Sequence, residues 1–128
     1  MTAEHRPPRP DRAAGIEKMQ AVYNFSVDPA DIEGDFVSYT VDHLFGDVWT
    51  RPALDVEQRR LVTIGVLAAL GQSALLEVQF TSALDNGELT EEQVRELVVH
   101  LAHYVGWPLA TGANEAAERV IARRRKAT

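Results

Sequence analysis

The chain has 128 residues, of which 45% are hydrophobic, a formal net charge of -6 and no cysteine. That composition is ordinary for one soluble globular domain, and an acidic chain is a poor partner for nucleic acid. Without thiols there is no disulfide, no thiol nucleophile and no zinc-thiolate site, which suits a cytoplasmic location.

Residues 1–10 hold His5, Arg6, Pro7, Pro8, Arg9 and Pro10 and no apolar run. An extended or disordered arm is expected there, and not a signal peptide. Ile16, Met19, Val22 and Tyr23 then recur at helical spacing, so a helix is expected from Asp11 to about Tyr23. Asp28-Pro29 reads as an N-cap and first position of a second helix. Its apolar side would be Ile32, Phe36, Tyr39, Val41 and Leu44, ending near Gly46.

Asp55 is expected to cap a helix over Val56–Leu70, with Gly71 at its C-terminal end. Beyond its first turn that helix is apolar nearly all round, so it is either central or an interface between subunits. Its apolar run, Leu61–Leu70, is interrupted by Thr63 and Gly65 and is too short to span a bilayer, so no membrane is expected as partner. Ser73 starts the next helix, which stops at Asn86-Gly87. Thr90-Glu91-Glu92-Gln93 is a capping box opening another, with Val94, Leu97, Val98, Leu101, Ala102 and Val105 facing inward and Gly106 closing it. A last helix runs from about Leu109 to Lys126 and ends in Arg123-Arg124-Arg125-Lys126, cations that suit a helix C-terminus. No alternating strand pattern appears. The expected fold is one all-α domain over residues 11–128, of about six helices with short loops.

Two segments concentrate aromatic, cationic and imidazole groups: LFGDVWTRPALD (Leu44–Asp55) and HLAHYVGWP (His100–Pro108). With RRLVTIGVLAALG and ALDNGELTEEQVREL between them, their order and spacing resemble the carboxymuconolactone decarboxylase family from about Leu44 to Ile121. The resemblance implies an alkylhydroperoxidase D-like helical fold and a homo-oligomer, a trimer or a hexamer. The redox branch of that superfamily uses C-x-x-C-x-x-x-H and a glutamate one helix earlier. Here those positions fall on Gln72, Leu75, Gln79 and near Arg60, so a thiol peroxidase is excluded. The decarboxylase branch usually keeps the histidine where this chain has Gln79, which cannot titrate.

His100, His103, Tyr104 and Trp107 follow at spacings of three and four on one helix. An imidazole and a phenol there suit proton handling; the alternative is one histidine packed at a helix end and the other solvated. His100 and His103 lack the i, i+4 spacing and third ligand of a zinc helix, so no metal is expected. Arg51 either forks onto a substrate carboxylate or pairs with Asp47 or Asp55, and Trp49 either walls a pocket or seals a helix junction. Arg59 and Arg60 stand in a helix's first turn against its dipole. They are offset by nearby acids such as Asp55 or Glu57, or one of them meets an anion.

The function that the resemblance implies is a carboxy-lyase without cofactor, acting on a small carboxylated lactone or related organic acid in aromatic catabolism. His100, His103 and Tyr104 would handle the proton. Trp49, Arg51, Arg59, Gln79 and Trp107 would bind the substrate. The competing expectation is a non-catalytic protein of the same fold that binds a small acid or serves as an oligomeric partner. A different enzyme on this scaffold is the third.

Overall fold

The computed structural model describes residues 11–128, so the arm expected over residues 1–10 lies outside the described residues. Among these residues all regular structure is helical: α1 (Arg12–Tyr23), α2 (Gly34–Tyr39), α3 (Val56–Ala69), α4 (Ser73–Asp85), α5 (Glu91–Val105) and α6 (Trp107–Lys126), with shorter 3₁₀ and π turns. The all-α expectation of about six helices is met. No helix of the described residues is long and apolar enough to cross a membrane. The helices fall into two compact units, divided in sequence after Val56.

In the first unit, α1 packs against a π-helical turn, Thr40–Phe45, that continues α2. The contact is close because Gly15 has no side chain: a Cβ there would lie 2.0 Å from the carbonyl oxygen of Val41. Beside it Arg12 is buried, and its guanidinium donates from Nε and Nη2 to the two carboxylate oxygens of Asp42 at 2.8 and 3.0 Å. Nη2 also donates to Ser38 Oγ at 3.1 Å. A bidentate pair of this kind satisfies a buried cation.

The helix expected to run from Asp28 to Gly46 is instead three pieces. Asp28 does cap, accepting from Ala30 N at 2.9 Å, but the turn lasts only Pro29–Asp31. The chain is extended at Glu33, takes a left-handed φ of 77° at Gly34, and starts again. This break and the π turn shift the helical phase. Ile32 and Val41 are buried as expected, but Ser38, Asp42 and Phe45 join them, while Tyr39, Leu44 and Phe36 (86% exposed) turn outward. Pairing Arg12 takes precedence over the apolar pattern.

In the second unit, α6 lies against both α4 and α5. Its inward row, Ala110, Ala113, Ala116, Ala117, Val120 and Ile121, is mostly alanine, which lets the helices approach closely. Phe80 and Leu76 of α4, Val94 and Val98 of α5, and Ile64 and Ala68 of α3 complete the core. α6 starts two residues before the expected Leu109, with Pro108 in its first turn.

Two glycines set the turns. Gly71 and Gly87 have φ of 68° and 69°. Each ends its helix in a Schellman motif: Gln72 N donates to Leu67 O at 2.9 Å and Gly71 N to Ala68 O at 3.2 Å, and Glu88 N donates to Ala83 O at 2.9 Å and Gly87 N to Leu84 O at 3.2 Å. α3 buries one side only. Leu61, Val62, Val66 and Leu70 remain open on the chain's surface.

Two alanine substitutions separate close approach from simple helix propensity. Gly15→Ala should destabilise the protein by about 1–3 kcal/mol, because the new methyl meets backbone. Gly65→Ala in α3, where the nearest atom would be Leu101 Cδ2 at 3.9 Å, should stabilise it by about 0.4–1 kcal/mol. Urea melts of the two variants give the signs; equal effects would mean that the α1 contact is not tight.

Candidate active site

Among the buried polar groups of the second unit, the most deeply placed is Arg60, 0% exposed. It lies on the inward row of α3 with Ile64 and Ala68. Its Nε and Nη2 donate to the two carboxylate oxygens of Glu88, each at 3.0 Å, and its Nη1 donates to Gln79 Oε1 at 2.9 Å. Glu88 follows Gly87, so the left-handed glycine turns the chain back and delivers this carboxylate beside α3. A buried counter-charge of Arg60, not expected from the sequence, is Glu88, 28 positions along. Gln79 is held in the core by the same network.

A cavity of about 320 Å³ is lined by Leu61, Leu89, Gln93, Glu96, Leu97 and His100. Two of these, Leu61 and Leu89, directly follow Arg60 and Glu88 in the chain. The buried pair thus fixes the segments that form one wall. The opposite wall is α5, whose start is pinned by the expected capping box: Gln93 N donates to Thr90 Oγ1 at 3.1 Å, and Thr90 N to Gln93 Oε1 at 2.9 Å. Three leucines with an amide, a carboxylate and an imidazole give this depression the mix of apolar and polar groups that small-molecule pockets use.

Of the sequence-predicted residues, His100 lines this cavity. Tyr104 sits one turn on, its ring 5.1 Å from the imidazole, and is 78% exposed. His103 points its Nδ1 at the carbonyl oxygen of Val99, 2.8 Å away. A carbonyl only accepts, so Nδ1 carries the hydrogen and Nε2 is left to accept when the ring is neutral. Trp107 packs edge-on against His103 at 5.5 Å. Arg59 is half-buried in the first turn of α3, where its carbonyl accepts from Thr63 Oγ1 at 2.9 Å.

Trp49 and Arg51 belong to the first unit. Trp49 is 7% exposed and stacks on Phe45, ring centroids 5.6 Å apart. With Val22 the two form a small core. Arg51 donates from Nε and Nη2 to the Asp47 carboxylate at 3.0 and 2.9 Å. These bonds, with the positive charges of Arg51 and His43, hold the Asp47 carboxyl below its ordinary range.

A second cavity, about 470 Å³, lies by the basic end of α6. Its cations are already matched: Arg123 to Glu77 and Arg125 to Glu91, each at 2.8 Å, and Arg124 to Asp85. No group of three or more His, Asp or Glu able to hold a metal occurs among the described residues.

The family model described as the carboxymuconolactone decarboxylase family matches residues 34–119. A 4-carboxymuconolactone decarboxylase of Acinetobacter baylyi is 37% identical over 91 residues, 71% of this chain and 67% of that protein. A nitrosuccinic acid decarboxylase of Metarhizium robertsii is 40% identical over 79 residues, 60% of this chain and 53% of that protein. This chain belongs to the carboxymuconolactone decarboxylase family. It spans about two thirds of the length of the first relative and about half of the second.

The buried network should be essential to the second unit. Arg60→Met leaves Glu88 charged and unmatched, and should cost about 3–5 kcal/mol of stability. Arg60→Met with Glu88→Leu should recover most of that loss. Denaturant melts of the single and double variants read both effects; a loss in the single variant below about 1 kcal/mol would show that the pair is not what holds this wall.

Proposed function

We propose that the chain is a carboxy-lyase acting on a small acid that carries its own electron sink. The observation that carries this reading is His100, a proton-handling group set on the wall of a leucine-lined cavity, in a chain of this family. The names of the two relatives specify a lactone acid and a nitro acid. Lactone and nitro groups both withdraw electrons. When the C–C bond to the carboxylate breaks, CO2 leaves and the electron pair passes to an oxygen of that group. The resulting enolate or nitronate then takes a proton at carbon. A substrate of this kind needs no organic cofactor.

In this reading protonated His100 delivers that proton and recovers it from water, with Tyr104 beside it. Leucine walls favour loss of the charged carboxylate over keeping it in place. Gln93, whose Oε1 is taken by the capping box, has its amide NH2 left to donate to an acid. Arg59, two residues before Leu61, is the cation best placed in sequence to hold a retained carboxylate. A guanidinium has five donors, so this role does not require it to leave its present partners. His103 stands behind His100, since its Nδ1 is committed to Val99.

The second reading, a non-catalytic binder of small acids, is favoured by Gln79. It stands where the family usually has a histidine and is engaged by Arg60. The open apolar side of α3 supports a homo-oligomer, a trimer or hexamer, in either case.

Release of CO2 from 4-carboxymuconolactone and from nitrosuccinic acid tests the choice. Turnover is expected on a lactone or nitro acid, falling about 10²–10⁴-fold in His100→Gln and less than about tenfold in His103→Gln. Saturable binding of such acids without CO2 release would establish the second reading instead. Sedimentation equilibrium at micromolar concentration should give a mass at least three times the 14.2 kDa of one chain; a monomer would rule out the oligomer.

A further inference from the structure

We infer that the open face of α3 seats a second, two-fold related copy of this chain, and that this copy supplies the wall missing from the cavity beside His100. The inference rests on the reading of that cavity as the site and of the chain as a homo-oligomer; it adds which face meets and what the meeting closes. No ionisable residue stands between Arg60 and Glu77. Within that stretch α3 buries Ile64 but turns Leu61, Val62, Val66 and Leu70 outward, from 42% to 65% exposed. Neighbouring elements continue this face. Leu61 shares the cavity with Leu97 and His100 of α5. One turn on, a Cβ at Gly65 would lie 3.9 Å from Leu101 Cδ2, and past the end of α3 one at Gly71 would lie 3.4 Å from Leu109 Cδ2 of α6. Tyr104, against the His100 ring, and Leu109 thus extend the apolar surface from α3 onto α5 and α6.

Area and charge favour a second copy as the occupant. Leu61, Val62, Val66, Leu70, Tyr104 and Leu109 together expose on the order of 700 Å², near the roughly 800 Å² that each partner gives to an interface of standard size. The largest apolar patch of an ordinary monomer is about 300–600 Å². The middle of this face lacks charge and its border carries an aromatic, which is the makeup of interface cores. A partner of other chemistry would be selected by charges that the face does not have, whereas an uncharged apolar face meets its own copy with no like charges opposed. The cavity opens on the same side: Leu61 and His100 line it, and both are exposed. A copy seated on α3 therefore covers the cavity, and by symmetry each copy covers the other's. Such a two-fold contact selects the hexamer over the trimer.

The test sets Val66→Glu, which puts a charge on the face and leaves the core untouched, beside Val66→Ile, which keeps the face apolar. Val62→Glu takes the place of Val66→Glu if circular dichroism shows the latter unfolded. In sedimentation equilibrium of the full chain at micromolar concentration, Val66→Glu should lose at least half of the wild-type mass and Val66→Ile none. Closure of the cavity is read from the rate at which diethyl pyrocarbonate modifies His100, followed by peptide mass spectrometry. Closed pockets cover about 70–90% of what they hold, so the rate should rise about three- to tenfold in Val66→Glu. An oligomer whose mass Val66→Glu leaves unchanged overturns the inference and puts the contact on another face. A wild-type monomer overturns it together with the oligomer. A fall in mass with no faster modification of His100 overturns the closing of the cavity. Both effects together with full turnover in His100→Gln bear out the contact and overturn instead the role given to His100.

Discussion

Much of the second unit depends on one buried cation. Arg60 sits in the interior of α3, where an unmatched charge would cost several kcal/mol. The fold answers with a bidentate carboxylate and an amide oxygen. Satisfying it dictates where Glu88 must lie, hence the sharp turn at Gly87, hence the start of α5 at Thr90. That helix carries Gln93, Glu96 and His100 along the cavity. A structural ion pair thus sets the position of the groups that line the cavity.

The same cation accounts for the glutamine on α4. With Arg60 as neighbour, position 79 has to offer an acceptor and stay uncharged. Gln79 does both at any pH. A histidine there would accept only as the neutral ring, and on protonation would set a second positive charge against Arg60 in the core. Arginine at position 60 and an uncharged acceptor at position 79 therefore go together in physical terms. The acid of this network is Glu88.

What the sequence disclosed was what is local. The capping box at Thr90, the glycine endings at Gly71 and Gly87, and the helical row of α5 all depend on residues within a few positions of each other. What it hid was long-range or polar. Arg60 and Glu88 lie 28 positions apart, and no periodicity marks the pair. A signal did exist: Arg60 falls in the i, i+4, i+8 row with Ile64 and Ala68, which puts it inward and demands an internal acid. Phe45 and Trp49, four apart, gave a similar sign that Trp49 packs in a core. The break at Gly34 and the phase shift of the π turn were not legible, because the buried Arg12–Asp42 pair that they accommodate joins residues 30 positions apart.

The two histidines show why spacing alone could not choose between them. Three residues apart on one helix, both stand on its exposed side. The difference lies in what else is near. His103 has its Nδ1 tied to the preceding turn and a tryptophan edge against its ring. His100 has a cavity on one side, a tyrosine on the other and a carboxylate one turn before it. A group that carries protons needs an opening toward the reacting atom and a means of holding charge between turnovers. Of the two, His100 is the one that lines the cavity formed with Leu61, Leu89 and Leu97.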